Sequence, residues 1–144
     1  MKRLIVIFTT IIALATLFSS CAEEQVKLAK KLDGTWNATS VTIDGEEAFG
    51  ALITASSYTF ADAGEGMGTF TNSLTVEFFG QSVTESINGD FTVTSVDDND
   101  MVMLSYTEDG VAETLNMDMD LDGSDVTFTF VSDSSDYVVK ASKQ

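Results

Sequence analysis

Apolar and polar residues alternate one by one through much of this chain, and that period of two constrains the fold more than any other feature. At 115–122 the order LNMDMDLD puts Leu115, Met117, Met119 and Leu121 on one face of an extended segment, with Asn116, Asp118, Asp120 and Asp122 on the other. After Gly123, Val126, Phe128 and Phe130 alternate with Thr127, Thr129 and Val131, so the two runs read as a hairpin with an apolar inside. From Thr35 onward the chain is rich in Thr, Val, Phe and Tyr, with turn residues at short intervals. The spacing predicts strands over Thr35–Ile43, Ser57–Ala61, Gly68–Phe79, Ser82–Ile87, Phe91–Val96, Met101–Thr107, Val111–Leu121, Val126–Val131 and Tyr137–Ala141. Among the breaks, Asp44-Gly45, Asn88-Gly89 and Asp109-Gly110 supply the positive φ angles that tight hairpins need. Only Glu46–Ser56, EEAFGALITAS, reads as helical, a short cap or lid between the first two strands.

Antiparallel strands in this number fit a closed barrel or a two-sheet sandwich. Closure removes exposed edges, and before Lys140 these strands have no proline or lysine to guard one. The expected fold is therefore all-β, an antiparallel up-and-down barrel of eight to nine strands.

The first residues, MKRLIVIFTTIIALATLFSSC, place Lys2 and Arg3 before an apolar run from Leu4 to Phe18, the layout of an export signal. The run is short for a permanent span. Its end, Leu17-Phe18-Ser19-Ser20-Cys21, resembles a bacterial lipobox, with Phe18 where leucine is usual, and holds the only cysteine of the chain. That resemblance implies cleavage before Cys21 and attachment of lipid to it. Ala22 rather than aspartate follows, which by analogy with other lipoproteins implies transfer to the outer membrane, and Glu23-Glu24 resembles surface-export signals of some bacterial groups. The expected organisation is a signal peptide over 1–20, a lipidated tether over 21–32 with a brief helix ended by Asp33-Gly34, and a barrel domain over 33–144. The expected location is the outer membrane, lipid-anchored through Cys21, on its periplasmic or outer face.

Removing Lys2 and Arg3 leaves five lysines against 23 acids, a net charge of −18. No basic residue lies between Lys31 and Lys140. Nucleic-acid backbones need lysine or arginine to neutralise them, so nucleic acid is not an expected partner. A protein partner, if there is one, should be cationic. The chain has no histidine, and lipidation would occupy its cysteine. The commonest general base, thiol and Ser-His nucleophiles, and imidazole–thiolate zinc sites are therefore missing, and neither an enzyme nor a cofactor is expected.

At 32-LDGTWNATSVTIDGE-46, Gly34-Thr35-Trp36 opens the first strand and Asp44-Gly45 closes it. This resembles the Gly-x-Trp start of lipocalins, and more closely the small lipocalin-like domains of bacterial lipoproteins. The resemblance implies that Trp36 plugs one barrel end beneath a basic residue of the last strand. Lys140 is the expected basic partner, where lipocalins usually carry arginine.

Asp118, Asp120 and Asp122 before Gly123 look like the start of a calcium loop, but they lie on one face of a strand. Residues two apart in a strand are separated by about 6.6 Å, so Asp118 and Asp122 should sit roughly 13 Å apart. Calcium takes oxygens at about 2.3–2.6 Å, so no metal site is expected here. A looser calcium site at Asp122 and Asp125, or at Asp97–Asp100, is the alternative. The inward face gives the candidate ligand cavity: Phe60, Phe70, Phe78, Phe91 and Met103, with Tyr106, Met117, Met119, Phe128 and Phe130. A barrel this size is either filled by its own side chains or holds one small ligand. The leading expectation is a lipid-anchored module for a small apolar molecule. The alternative is a filled barrel serving as an accessory subunit of a cell-surface assembly.

Overall fold

The computed structural model describes residues 22–96 and 99–144; Cys21 and the export segment lie outside the described residues, as do Asp97 and Asp98. A helix over residues 22–32, α1, precedes β1 (Gly34–Ile43), the two-residue β2 (Glu46–Glu47), β3 (Ile53–Gly64), β4 (Met67–Phe78), β5 (Gln81–Val96), β6 (Asn99–Glu108), β7 (Val111–Asp122), β8 (Asp125–Ser132) and β9 (Ser135–Lys143). From β3 to β9 each strand pairs antiparallel with the next, β3 pairs with β1, and β9 returns to β1 from Trp36↔Lys143 to Ile43↔Tyr137. The result is a closed, eight-stranded up-and-down barrel, with β2 as an extra strand on β1. The architecture is consistent with a lipocalin-like fold.

Two-residue loops make the hairpins. Asp44-Gly45 takes φ of 52° and 83°, Asp109-Gly110 takes 49° and 82°, and Asp133-Ser134 takes 50° and 68°. Positive φ at both central residues gives the turn whose twist matches the strands beside it.

Two local expectations are corrected. Asn88-Gly89 is not a turn but the middle of β5, where Asn88 faces Thr71 and Gly89 lies between Phe70 and Tyr106. A tight turn at 88–89 would put Ile87 opposite Asp90 on one face, whereas a continuous strand keeps Ile87, Gly89 and Phe91 inward and Asp90 out. Glycine is needed there for closeness, because a Cβ would run into the Ser105 carbonyl and the Phe70 ring. The second correction is Glu46–Ser56, which is not helical. β1 pairs with β3 only as far as Asn37↔Ser57, so the upper half of β1 must find other partners. The segment supplies them, with Ala48 N donating to Val41 O at 2.8 Å, and on its other side it meets β4, where Glu77 N donates to Leu52 O at 3.0 Å. It fills the gap between β1 and β3 as a short strand and turn.

One half of the barrel is solid. Trp36, Phe60, Phe91, Phe128, Met117, Val93, Val102 and Val126 are all fully buried there. Phe60 meets Phe91 edge-to-face at 5.3 Å and Phe128 at 6.1 Å. α1 closes this end, burying Leu28, Ala29 and Leu32 into the same core. It is therefore part of the fold and not only a link. Its final carbonyls are tied to the barrel, with Trp36 Nε1 donating to Leu32 O at 2.7 Å and Lys143 Nζ donating to Lys31 O at 3.0 Å. The Lys143 ammonium also lies 5.2 Å from the Trp36 ring centroid. Gly34, at φ 118°, leaves room for the Lys143 stem, which a Cβ would meet at 2.9 Å.

The cation over Trp36 is thus Lys143 and not Lys140. Val139 and Ala141 point inward, so Lys143 shares their face, while Lys140 lies opposite Ser40 with its side chain exposed. Trp36→Ala is expected to lower unfolding free energy by about 3–5 kcal/mol, because it removes a fully buried indole. Lys143→Met should cost about 1–2 kcal/mol through one hydrogen bond and one cation–π contact. Urea denaturation followed by circular dichroism checks both, and a loss under about 1 kcal/mol for Trp36→Ala would mean that the indole does not hold the barrel end.

Candidate functional site

The opposite end of the barrel is open, and a cavity of about 220 Å³ enters it. Its base rests on Tyr58, whose ring lies against Phe128 at 5.3 Å and stacks on Phe60 at 6.4 Å, separating the space from the solid half. Val41, Ile53, Leu74, Leu104 and Val139 form apolar walls. Nearer the mouth stand Tyr106, Phe130 and Tyr137. Phe130 and Tyr137 stack in parallel at 5.1 Å, and Tyr106 meets Phe70 edge-to-face at 6.3 Å. Not one lining residue carries a charge.

A bulge sets which side chains reach this space. The β3–β4 register slips between Ile53 and Ala55, so Ile53 and Ser56 both point inward although they are three residues apart. Beyond the slip the ordinary alternation carries Tyr58 and Phe60 inward. Asn72 lies directly across from Tyr58 on β4 and donates Nδ2 to Ser57 O at 3.1 Å. Among the described residues neither the Ser56 nor the Tyr58 hydroxyl makes a hydrogen bond, yet no fully enclosed side-chain polar atom lacks a partner. Both hydroxyls therefore open onto the cavity. Burial pushes the Tyr58 hydroxyl up to about 12, so it stays a neutral donor at any physiological pH. The Tyr106 hydroxyl is raised as well, first by burial and then by the carboxylates of Glu108, Glu113 and Asp133.

The ten residues expected to line a ligand cavity separate into three groups. Phe70, Tyr106 and Phe130 line the space. Phe60, Phe91, Met117, Met119 and Phe128 fill the solid half. Phe78 and Met103 do neither. Met103 is 38% exposed because β6 turns Val102 and Leu104 inward, opposite Val93 and Met117 and opposite Phe91 and Leu115 respectively. Phe78 keeps the inward phase of β4, but the β4–β5 hairpin outruns its neighbour: β5 pairs with β6 only from Gly89 onward, and Phe78 is 53% exposed. Ser56 and Tyr58 were missed, although counting back by twos from Phe60 reaches both. Asp122 and Asp125 face each other across the β7–β8 turn, where Ser142 Oγ donates to the Asp125 carboxylate at 2.6 Å. Among the described residues no three acidic, histidine or cysteine side chains gather as metal ligands would.

Beside the mouth, Glu47 fixes the 46–52 segment. Its carboxylate accepts from Ser40 Oγ at 2.7 Å, Val41 N at 3.0 Å and Phe49 N at 3.1 Å. These bonds, the Ser40 hydroxyl first, hold its pKa below the ordinary 4.5. No family model matches the chain, and no curated protein or solved structure matches it significantly.

Because the folded state prefers the ionised Glu47, its contribution to stability is complete above pH 4.5 and is lost as pH falls through the lowered value. In an acid titration followed by amide NMR, the Val41 and Phe49 resonances should move together with a midpoint below 4.5, and Glu47→Gln should abolish that step. A midpoint at or above 4.5 would show that the carboxylate does not hold the segment.

Proposed function

We propose that this protein is a lipid-anchored, lipocalin-like binding module that holds one small apolar molecule in the open half of its barrel. The observation that carries this reading is the cavity itself, neutral, walled by aliphatic and aromatic side chains, and entered from one end only. Binding sites for small molecules have this form, an apolar pocket with a few placed polar groups. The volume of about 220 Å³ exceeds the about 150 Å³ of an apolar cavity that takes up benzene, which fits a ligand of fragment-like size. Chemistry on the ligand is not part of the proposal, since the chain carries no histidine.

The anchor belongs to the same reading. Lipid on Cys21 would place α1 at the membrane and, through the packing of α1 on the closed end, turn the open mouth away from it. The acidic surface needs such an anchor, because a net charge of −18 in the processed chain repels an anionic bilayer. The outer membrane is the proposed site.

The overhanging β4–β5 hairpin favours a second reading, an accessory subunit that presents this tip to a cationic protein partner. Phe79 is fully exposed and sits at φ 51°, a left-handed conformation that a bulky side chain adopts only at a cost. Phe78, the residue before it, is 53% exposed. A ring kept in the open at such a cost is what a contact surface requires. Phe79→Asn should then stabilise the barrel by about 1 kcal/mol in thermal denaturation. A lower stability would mean that the ring is packed and the hairpin is no free surface.

Two measurements test the leading reading. The chain from Ala22, which contains α1 and every barrel strand, should carry a releasable mass of roughly 100–150 Da in native mass spectrometry, as befits a ligand of about seven to ten non-hydrogen atoms; a bare chain that also fails to take up added fragments would overturn the binding module. Radioactive palmitate should label the full chain in cells and not its Cys21→Ser variant, and equal labelling of the two would overturn the anchor.

A further inference from the structure

At the base of the cavity the polar groups are few and adjacent. Ser56 and Tyr58 stand two residues apart on one face of β3, about 6–7 Å along the strand. Asn72 is directly opposite Tyr58 and, with Nδ2 committed to Ser57 O, offers its carbonyl oxygen. Together they present two hydroxyls, each able to donate and accept, and one amide acceptor. The Tyr58 side chain is more than nine-tenths buried, yet its hydroxyl has no partner among the described residues. Among the described residues no sealed side-chain polar atom lacks a partner, so this hydroxyl opens onto the cavity and is free to bond what enters it. It sits at the base, and the other polar groups that line the cavity are Ser132 and the Tyr106 and Tyr137 hydroxyls.

Resting on the binding reading above, we infer that the Ser56–Tyr58–Asn72 cluster is a specificity site for the uncharged hydrogen-bonding group of an otherwise apolar ligand, such as a hydroxyl or carbonyl, and that the cavity rejects acids. The ligand enters with this group first and leaves its apolar part among Leu74, Leu104, Phe130 and Tyr137. Carboxylate ligands fail for two reasons. No lining residue is cationic, so a buried carboxylate would be unpaired at a high desolvation cost. The approach is acidic too, with Glu108, Glu113 and Asp133 close enough to act on Tyr106 at the mouth. Selection of this kind is strong because a site built to hydrogen-bond a hydroxyl is left unsatisfied by an analogue that lacks one.

Four probes of similar size separate the outcomes: toluene, 4-methylphenol, 4-methylbenzoate and 4-methylbenzylamine, titrated at neutral pH into the chain from Ala22 and followed by NMR. The phenol should bind about tenfold more tightly than toluene, and the benzoate more weakly than either. Tyr58→Phe, which keeps the ring and removes only the hydroxyl, combined with Ser56→Ala, should remove most of the phenol's advantage over toluene, the rest being held by the Asn72 carbonyl. Circular dichroism of the double variant reports separately that it is folded. A phenol preference undiminished by both substitutions, benzoate binding equal to the phenol, or binding of the amine tighter than that of the phenol would each overturn the inference while the binding reading stands. If no probe binds, toluene included, both fail.

Discussion

The indole of Trp36 joins the three parts that make this barrel one object. It lies on β1 at the pairing that closes the sheet, directly across from Lys143 on β9. Its ring receives the Lys143 ammonium, and its N–H reaches the last turn of α1. Helix C-termini leave carbonyls without intrahelical donors, and a cation or an N–H there is favoured by both hydrogen bonding and the helix dipole. Closure, helix docking and filling of one end therefore depend on the same side chain. That arrangement has a consequence for the other end. A barrel of eight strands has little interior volume, and the aromatic and aliphatic residues spent around Trp36 make one half solid, so free space collects at the end away from it.

The free space also follows from how the strands end. β1 leaves β3 above Asn37, and β5 is without β6 below Gly89, so the open end is splayed where the closed end is tight. The 46–52 segment fills the first of these gaps, held by the Glu47 carboxylate. The second remains as the overhang that exposes Phe78 and Phe79. The bulge at Ile53–Ala55 belongs to the same region and brings Ile53 onto the inward face that Ser56 and Tyr58 share. Irregularity at a barrel rim is where such structures place their polar contacts, because a regular strand could not bring Ile53 and Ser56 to one face.

How much of this was legible depended on whether a signal was local. Along β7 and β8 the alternation is clean, and the inward placement of Met117, Met119 and Phe128 follows from it. Along β6 the run Met101-Val102-Met103-Leu104 is apolar at every position, so composition alone leaves its phase open. Tyr106 and the pairing with β5 and β7 settle that phase. Asn88-Gly89 carries a local turn signal that is overruled by the pairing of β4 across Met67–Phe78, which needs every residue from Gln81 to Thr92. Lys140 and Lys143 differ only in phase, and the face shared with Val139 and Ala141 was the cue. Ser56 and Tyr58 share the period of Phe60, but for Ile53, inward three residues before Ser56, the deciding fact was a bulge, which leaves no mark in the sequence.

Charge divides this molecule more sharply than hydrophobicity does. With 23 acids and seven bases, the surface field is negative almost everywhere, and Lys143, one of the few cations, is used up in closing the barrel. An interior anion would therefore have no counter-charge to meet, and an approaching one would cross a field of its own sign. The acidic exterior repels anions, while the cavity lining among the described residues carries no charge. On the proposed binding reading an occupant would be held by shape, apolar contact and neutral polar groups, Ser56, Tyr58 and Asn72 first, so discrimination would rest on whether those groups find a partner. The Tyr58 hydroxyl, without a partner among the described residues, is what would make that discrimination physical, since a hydrogen bond in a low-dielectric cavity is worth more than one in water.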